Sequence, residues 1–358
     1  MRKYNFAAGP STLPVSVLET LRDQMVDYQG EGLSLIEASH RSAAYDAVHT
    51  ETLSLVRELL QVPDSHEVLL LQGGATLQFG MIAMNFLPAG GSCDAVMSGS
   101  WAKKAIADFE KLGKVNKVFD GKADNFTTLP GDIKVSGDAA FVHITSNETI
   151  GGVQWKSFPK TGDVPLIADM SSDIMSRPLP IADFGMIYAG AQKNLGPAGA
   201  ALVIIRKDLL ERCPDTLPAY LSYKSHVDGN SLYNTPPVFA IWAMGEVLKW
   251  VKAQGGLKAM QELNEKKAGL VYGAMDASNG FYRCPVDPAV RSVMNVVFRL
   301  PSEELEAKFI AEAKAKGLIQ LKGHRSVGGC RASLYNSMPL EGAEALAAFM
   351  KEFAAANA

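Results

Sequence analysis

Apolar positions along this chain follow two patterns. From Ala43 to Leu60 they recur three and four residues apart, the spacing of one helix face, and Val15 to Gln29 show a weaker form of it. Between such stretches lie short apolar runs. "EVLLLQGGAT" reads as a buried strand ending in a glycine turn, with a helical "LQFGMIAMNFL" after it. "CDAVMSGSWAKKAIADFEKLG" repeats strand, turn and helix, with Trp101 on the turn. "GDAAFVHITSNETIGG", "PLIADMSS", "FGMIYAGAQKN" and "GAALVIIRKDLL" are further strand-like runs. Strands that are apolar throughout, alternating with helices, predict an α/β fold: a mostly parallel sheet with helices on both faces. Ligands of such sheets sit beyond the carboxyl ends of the strands. Gly73-Gly74, Ser98 to Trp101, Thr145 to Thr149, Asp169 to Ser172 and Lys193 all fall at such ends.

After Gly255 the texture changes. Charged helical stretches over 257–276, 302–318 and 340–356 bracket two short strands near "RSVMNVVFRL" and "CRASLYNS". The pattern predicts a large unit over 1–255 and a smaller C-terminal α/β unit over 256–358. The first ~15 residues are free to pack on the smaller one, since such borders hold only to several residues.

The chain has 358 residues, 47% of them hydrophobic, enough for a sizeable core. No apolar run reaches the ~20 residues of a membrane span, and the basic N-terminus lacks the apolar core of a secretory leader. Cys93, Cys213, Cys284 and Cys330 lie far apart with no CxxC pair. Neither a metal site nor a disulfide framework is expected, and a cytoplasmic setting fits. A net charge of −3 argues against nucleic acid as a partner. Any anion site must be local.

Lys193 ends an apolar run in "GAQKN". A buried lysine there would lose proton affinity and expose a nucleophilic amine. The same position also suits a lysine whose stem lies on apolar surface with its head in water. Asp169 closes the preceding run. It is either a helix cap or a buried carboxylate that needs a cationic partner, such as a protonated pyridine ring. "QGGAT" presents backbone N–H groups where a strand gives way to a helix, a setting that binds phosphate and is also a common plain turn. Trp101 suits either ring stacking or core packing. "SHRS" and "GHRSVGGCR" supply His40, Arg41, His324, Arg325 and Arg331, guanidinium and imidazole donors for a substrate with several negative charges, or a solvated surface. Neither GxGxxG nor GxxxxGK[ST] occurs, which weakens dinucleotide and P-loop readings.

Taken in order, "NFAAGPSTLP", "EASHRS", "QGGATLQF", "GSWAKKA", "HITSNETIGG", "ADMSSDIMSRP", "YAGAQKNLGPAG", "YNTPPVFAIW" and "KGHRSVGGCRASLYNSMPLEG" resemble the phosphoserine aminotransferases. These are class-V, fold-type I transaminases that use pyridoxal 5'-phosphate, and the resemblance implies a mostly parallel seven-stranded sheet in the large domain. The resemblance covers essentially the whole chain. It implies amino transfer between O-phospho-L-serine and 2-oxoglutarate in serine biosynthesis, and in many bacterial members also on a phosphorylated hydroxythreonine in pyridoxine biosynthesis. It further implies that Lys193 is the Schiff-base lysine and Asp169 the partner of the ring nitrogen. Trp101 would stack on the ring, Ala75 and Thr76 would bind its phosphate, and Thr149 would reach its hydroxyl. Ser171 and Gln192 would be further cofactor contacts. Asn234 and Thr235 would reach the cofactor of a partner subunit in a homodimer. His40, Arg41, His324 and Arg325 would hold the substrate's phosphate or distal carboxylate, and Arg331 its α-carboxylate. Some members carry an arginine in the turn where this chain has Thr76, which shifts phosphate recognition toward the His-Arg pairs. Other class-V enzymes, a cofactor-binding protein without turnover and a dehydrogenase are the rival readings.

Overall fold

The computed structural model describes residues 2–358. The chain forms β1 (Tyr4–Asn5), α1 (Val15–Asp23), α2 (Ala43–Leu60), β2 (His66–Gln72), α3 (Gly74–Phe86), β3 (Ser92–Met97), α4 (Ser100–Phe109), β4 (Lys114–Asp120), β5 (Ala139–Thr145), β6 (Leu166–Asp169), β7 (Met186–Gly190) and β8 (Ala200–Arg206). It continues through α5 (Lys207–Leu210), α6 (Tyr223–Asp228), α7 (Val238–Ala253), α8 (Gly256–Asp276), β9 (Asn295–Phe298), α9 (Glu303–Ala315), β10 (Leu318–Ile319), β11 (Cys330–Ser333) and α10 (Leu340–Asn357).

Among the described residues, seven strands join in the order β2-β8-β7-β6-β5-β3-β4. β8 runs antiparallel to both its neighbours, and the remaining adjacent pairs are parallel. Side chains alternate between two cores. Val68 and Leu70 pack with Val56 and Leu60 of α2 and Ile241 and Leu248 of α7, whereas Leu69 and Leu71 pack with Phe79 and Ile82 of α3. Burial on both faces explains why these strands read as unbroken apolar runs. β4 escaped that pattern. It is an edge strand with exposed Lys114 and Lys117, residues that discourage pairing with another chain.

Two helix boundaries differ from expectation. α1 stops at Asp23 instead of reaching Gln29. Gln29 (φ 53°) and Gly30 (φ 83°) turn the chain there, and the Asp27 carboxylate accepts from Gly32 N at 2.9 Å. Trp101 sits in the first turn of α4, not on a preceding loop.

The C-terminal part builds a second core from Phe298 and Ala332 of its small sheet, Phe309 of α9, and Leu346 and Met350 of α10. β9 and β11 pair antiparallel, and β1 pairs parallel with β10, so the chain's beginning closes on its end. Phe6 is fully buried in this core. α8 serves both cores: Leu257 and Met260 pack with the large one, Val271 and Met275 with the small one. Among the described residues no helix is long and apolar enough to cross a membrane.

Candidate active site

β5, β6 and β7 run parallel with Thr145 opposite Asp169 and Asp169 opposite Tyr188. Their carboxyl ends therefore form one rim. A cavity of about 440 Å³ opens on it, lined by Ala75, Thr76, Trp101, Thr149, Asp169, Ser171, Gln192 and Lys193. All eight were expected cofactor contacts. Gly9, Pro10, Ala198 and Gly199 line it too, and sequence reading missed them, whereas Asn147 and Ser172, also in the lining, fell within the expected strand-end stretches without an assigned role. Ser172 lay visible beside Ser171. Gly9 and Pro10 had no local signal, because they arrive from the far end of the chain.

Lys193 is held by its backbone. Its carbonyl accepts from Ser11 Oγ at 2.6 Å, and Ser11 N donates to Gln192 O at 3.0 Å. Lys193 is 8% exposed, and its ammonium donates to Thr149 Oγ1 at 2.6 Å. Burial pulls its pKa down to about 8 against the attraction of Asp169 and Glu148. Reductive trapping of Lys193 by a small aldehyde should therefore climb about tenfold per pH unit below 8 and level off above it. Peptide mass analysis would follow it. A rate still climbing at pH 10 would mean an ordinary, hydrated lysine.

Asp169 ends β6 and is buried, and its Oδ1 accepts from Ser171 N at 2.9 Å. Burial raises its pKa, opposed by Ser171 and by Lys193 across the cavity. No cation pairs with it directly among the described residues. α3 begins at the rim with Gly73 as N-cap (φ 86°) and no capping side chain. The N–H groups of its first turn thus have no partner within the helix, a favourable place for a phosphate. The Trp101 ring centre lies 5.7 Å from Lys193 Nζ.

The basic residues divide. Arg331 Nη1 donates to Thr149 O at 3.1 Å, which ties it to the Lys193 contact. Arg331 and His324 line an adjoining, mostly apolar cavity of about 280 Å³. His324 loses proton affinity through partial burial and the positive charges of Arg331, Arg325 and Lys104. Lys104 was not among the expected residues. Its helical neighbourhood gave it the look of an ordinary surface lysine. His40, Arg41, Asn234 and Thr235 do not line the Lys193 cavity. Thr235 O accepts from Gln72 Nε2, and Arg41 is exposed. Among the described residues no group of three His, Cys, Asp or Glu is placed to hold a metal.

The arrangement fits pyridoxal phosphate: a buried amine of low proton affinity, a buried carboxylate lacking a cation, an uncapped helix start and an indole around one cavity. Comparisons with known proteins agree with this chemistry. The family model for aminotransferase class-V matches residues 3–346. A phosphoserine aminotransferase of Lysinibacillus sphaericus is 53% identical over 354 residues, 98% of each chain. The solved structure of a phosphoserine aminotransferase from Bacillus circulans subsp. alkalophilus superposes with a TM-score of 0.98 at 51% identity, covering 100% of this chain and 99% of that one. A pyridoxal-phosphate-bound phosphoserine aminotransferase from Trichomonas vaginalis gives a TM-score of 0.93 at 40% identity, covering 98% and 100%.

Proposed function

Because the chain belongs to the class-V aminotransferase family, we propose that it catalyses reversible amino transfer between O-phospho-L-serine and 2-oxoglutarate, giving 3-phosphohydroxypyruvate and L-glutamate. It is a pyridoxal-phosphate-dependent transaminase. The observation that carries the substrate reading is the gathering of the Arg325, Arg331 and Lys104 charges around His324, with Arg331 tied to Thr149, the residue that also contacts Lys193, in a chain of net charge −3. Such a cluster of donors suits a substrate bearing both phosphate and carboxylate.

When bound, pyridoxal phosphate supplies an aldehyde that captures the substrate amine and a ring that takes up the electron pair left at Cα. Lys193 Nζ is the group that holds the cofactor, and as a free amine it takes the proton from the substrate Cα. Thr149 Oγ1 accepts from that nitrogen and limits where it can point. Asp169 holds a proton on the ring nitrogen by ion pairing, which its present lack of a cation supports. Ala75 and Thr76 offer backbone donors to the cofactor phosphate, while Ser171 and Gln192 flank the ring. Arg331 takes the α-carboxylate, and His324 and Arg325 take the phosphate or distal carboxylate. Clamping both ends of the substrate fixes which Cα bond breaks.

His40, Arg41, Asn234 and Thr235 serve the site of a second copy in a homodimer. None of the four lines the cavity of its own chain, which supports this. So do exposed apolar side chains on the two segments that carry them: Ile36 is 50% exposed, Tyr233 50% and Phe239 38%. Both segments pack around Trp242. The large unit of 1–255 and small unit of 256–358 meet at Gly255. A cytoplasmic setting is part of this reading, supported by four unpaired cysteines.

The test is glutamate formation from 2-oxoglutarate with phosphoserine or serine as amino donor. Phosphoserine should be preferred by at least about a hundredfold in kcat/KM, the loss expected when two charge-assisted contacts go unmade. Arg331→Ala should penalise phosphoserine and glutamate alike, because both carry an α-carboxylate. Equal use of serine, or an Arg331→Ala loss confined to phosphoserine, would refute these assignments.

A further inference from the structure

Glu148 lies fully buried behind the cavity wall. Its Oε2 accepts from Trp101 N at 3.1 Å and its Oε1 from Ala102 N at 2.9 Å. These are first-turn N–H groups of α4, a helix whose own N-cap, Gly99, offers no side chain. The carboxylate therefore caps α4 from a different element. Its backbone is fixed in turn: Glu148 N donates to Val153 O at 2.9 Å, and Glu148 O accepts from Gly152 N at 2.8 Å. The next residue, Thr149, receives the Lys193 and Arg331 hydrogen bonds.

Gly99 explains how the carboxylate gets in. Its φ of 170° is extended backbone open to any residue, so conformation does not require glycine there. Space does. A Cβ at position 99 would lie 2.5 Å from Glu148 Cδ and 2.7 Å from Oε2. No hydrogen bond orients the Trp101 ring, since its Nε1 is buried without a partner. The direction of the indole thus follows from how firmly the backbone of the first turn is held.

We propose that Glu148 is a positioning residue: through Trp101 N and Ala102 N it sets the Trp101 indole against the pyridoxal phosphate site, and Gly99 is the gap that admits it. The proposal rests on the reading of Trp101 as a cofactor contact. It links the strand-end loop that carries Thr149 to the helix that carries Trp101, so one buried carboxylate aligns two walls of the site.

The experiment titrates pyridoxal phosphate into apoenzyme of the parent, Glu148→Gln, Glu148→Ala, Gly99→Ala, the Gly99→Ala/Glu148→Ala double variant and Trp101→Ala. Dissociation constants and apoenzyme melting temperatures are both read. A purely structural cap would lower the melting temperature and leave the affinity of the folded fraction unchanged. Glu148→Gln and Gly99→Ala should each weaken cofactor binding about tenfold, the scale of one misplaced aromatic contact. Gly99→Ala approaches the same contact from the other side, so it carries the test even where a Glu148 variant does not fold. The double variant should bind no worse than Glu148→Ala, because the added methyl group then enters vacated space. Parent-like affinity in Glu148→Gln and Gly99→Ala, alongside weakened binding in Trp101→Ala, overturns the role of Glu148 alone. Additive losses in the double variant overturn it as well. Parent-like affinity in Trp101→Ala removes the Trp101 reading and this proposal with it.

Discussion

Replacing Lys193 by alanine should abolish amino transfer, leaving less than about one part in 10⁴ of the parent rate even with saturating pyridoxal phosphate. The expectation rests on chemistry that no neighbour can supply. The side chain sits at the sheet rim with burial holding its pKa near 8, so roughly a tenth is free amine at pH 7, against fewer than about one in a thousand for an ordinary lysine. Lys104 interacts with the same Trp101 ring, its Nζ 4.2 Å from the ring centre, but does not line the cavity. Lys193→Arg should be equally inactive, because it keeps a cation and removes the amine. The variants should still fold. Burial disfavours the ammonium, so its loss breaks no buried ion pair, and the main contact forfeited is the one to Thr149 Oγ1. Glutamate production measures the activity and circular dichroism the fold. Turnover within tenfold of the parent in Lys193→Ala would end the assignment.

Asp169→Asn should separate activity from stability. Amide oxygen can still accept from Ser171 N, so local geometry survives. What disappears is the negative charge proposed above to keep the ring nitrogen protonated. Activity should fall on the order of 10²- to 10³-fold, as when a preorganised electrostatic partner is removed. The apoenzyme should be no less stable at pH 7. The carboxyl's pKa is raised above 3.8 by burial, so its contribution to stability is present below the unfolded value and is lost as pH rises through the folded one. Ionising the buried group is a cost that asparagine lacks, so the variant's advantage should shrink as pH falls. Adding pyridoxal phosphate should raise the parent's melting temperature more than the variant's, because binding gives the buried charge its partner. A variant with parent activity, or one whose apoenzyme melts well below the parent at pH 7 but not at pH 4, contradicts this account.

Much of this organisation was readable from local pattern. Strands buried on both faces must be apolar throughout, so β2, β5, β6, β7 and β8 stood out, and their ends marked Asp169 and Lys193. The turn at Gly73 and the helix after it were equally visible, since a left-handed N-cap favours glycine. What the local pattern could not resolve depends on contacts between distant residues. The edge strand β4, with its lysines, resembles a loop until its pairing with β3 is seen. A run of apolar residues does not carry its direction, so β8's antiparallel placement was hidden as well.

The same division runs through the site. Sequence order alone placed Thr149, Asp169 and Lys193 at strand ends, because chain periodicity and strand length set those positions. Folding then brought Ser11 to the Lys193 carbonyl across 182 residues and Glu148 to the first turn of α4 across 47. It also moved the lysine from a hydrated surface reading to a buried amine of lowered proton affinity. Proton affinity depends on burial and on facing charges, and those exist only once the sheet, the α4 turn and the N-terminal segment close around one cavity.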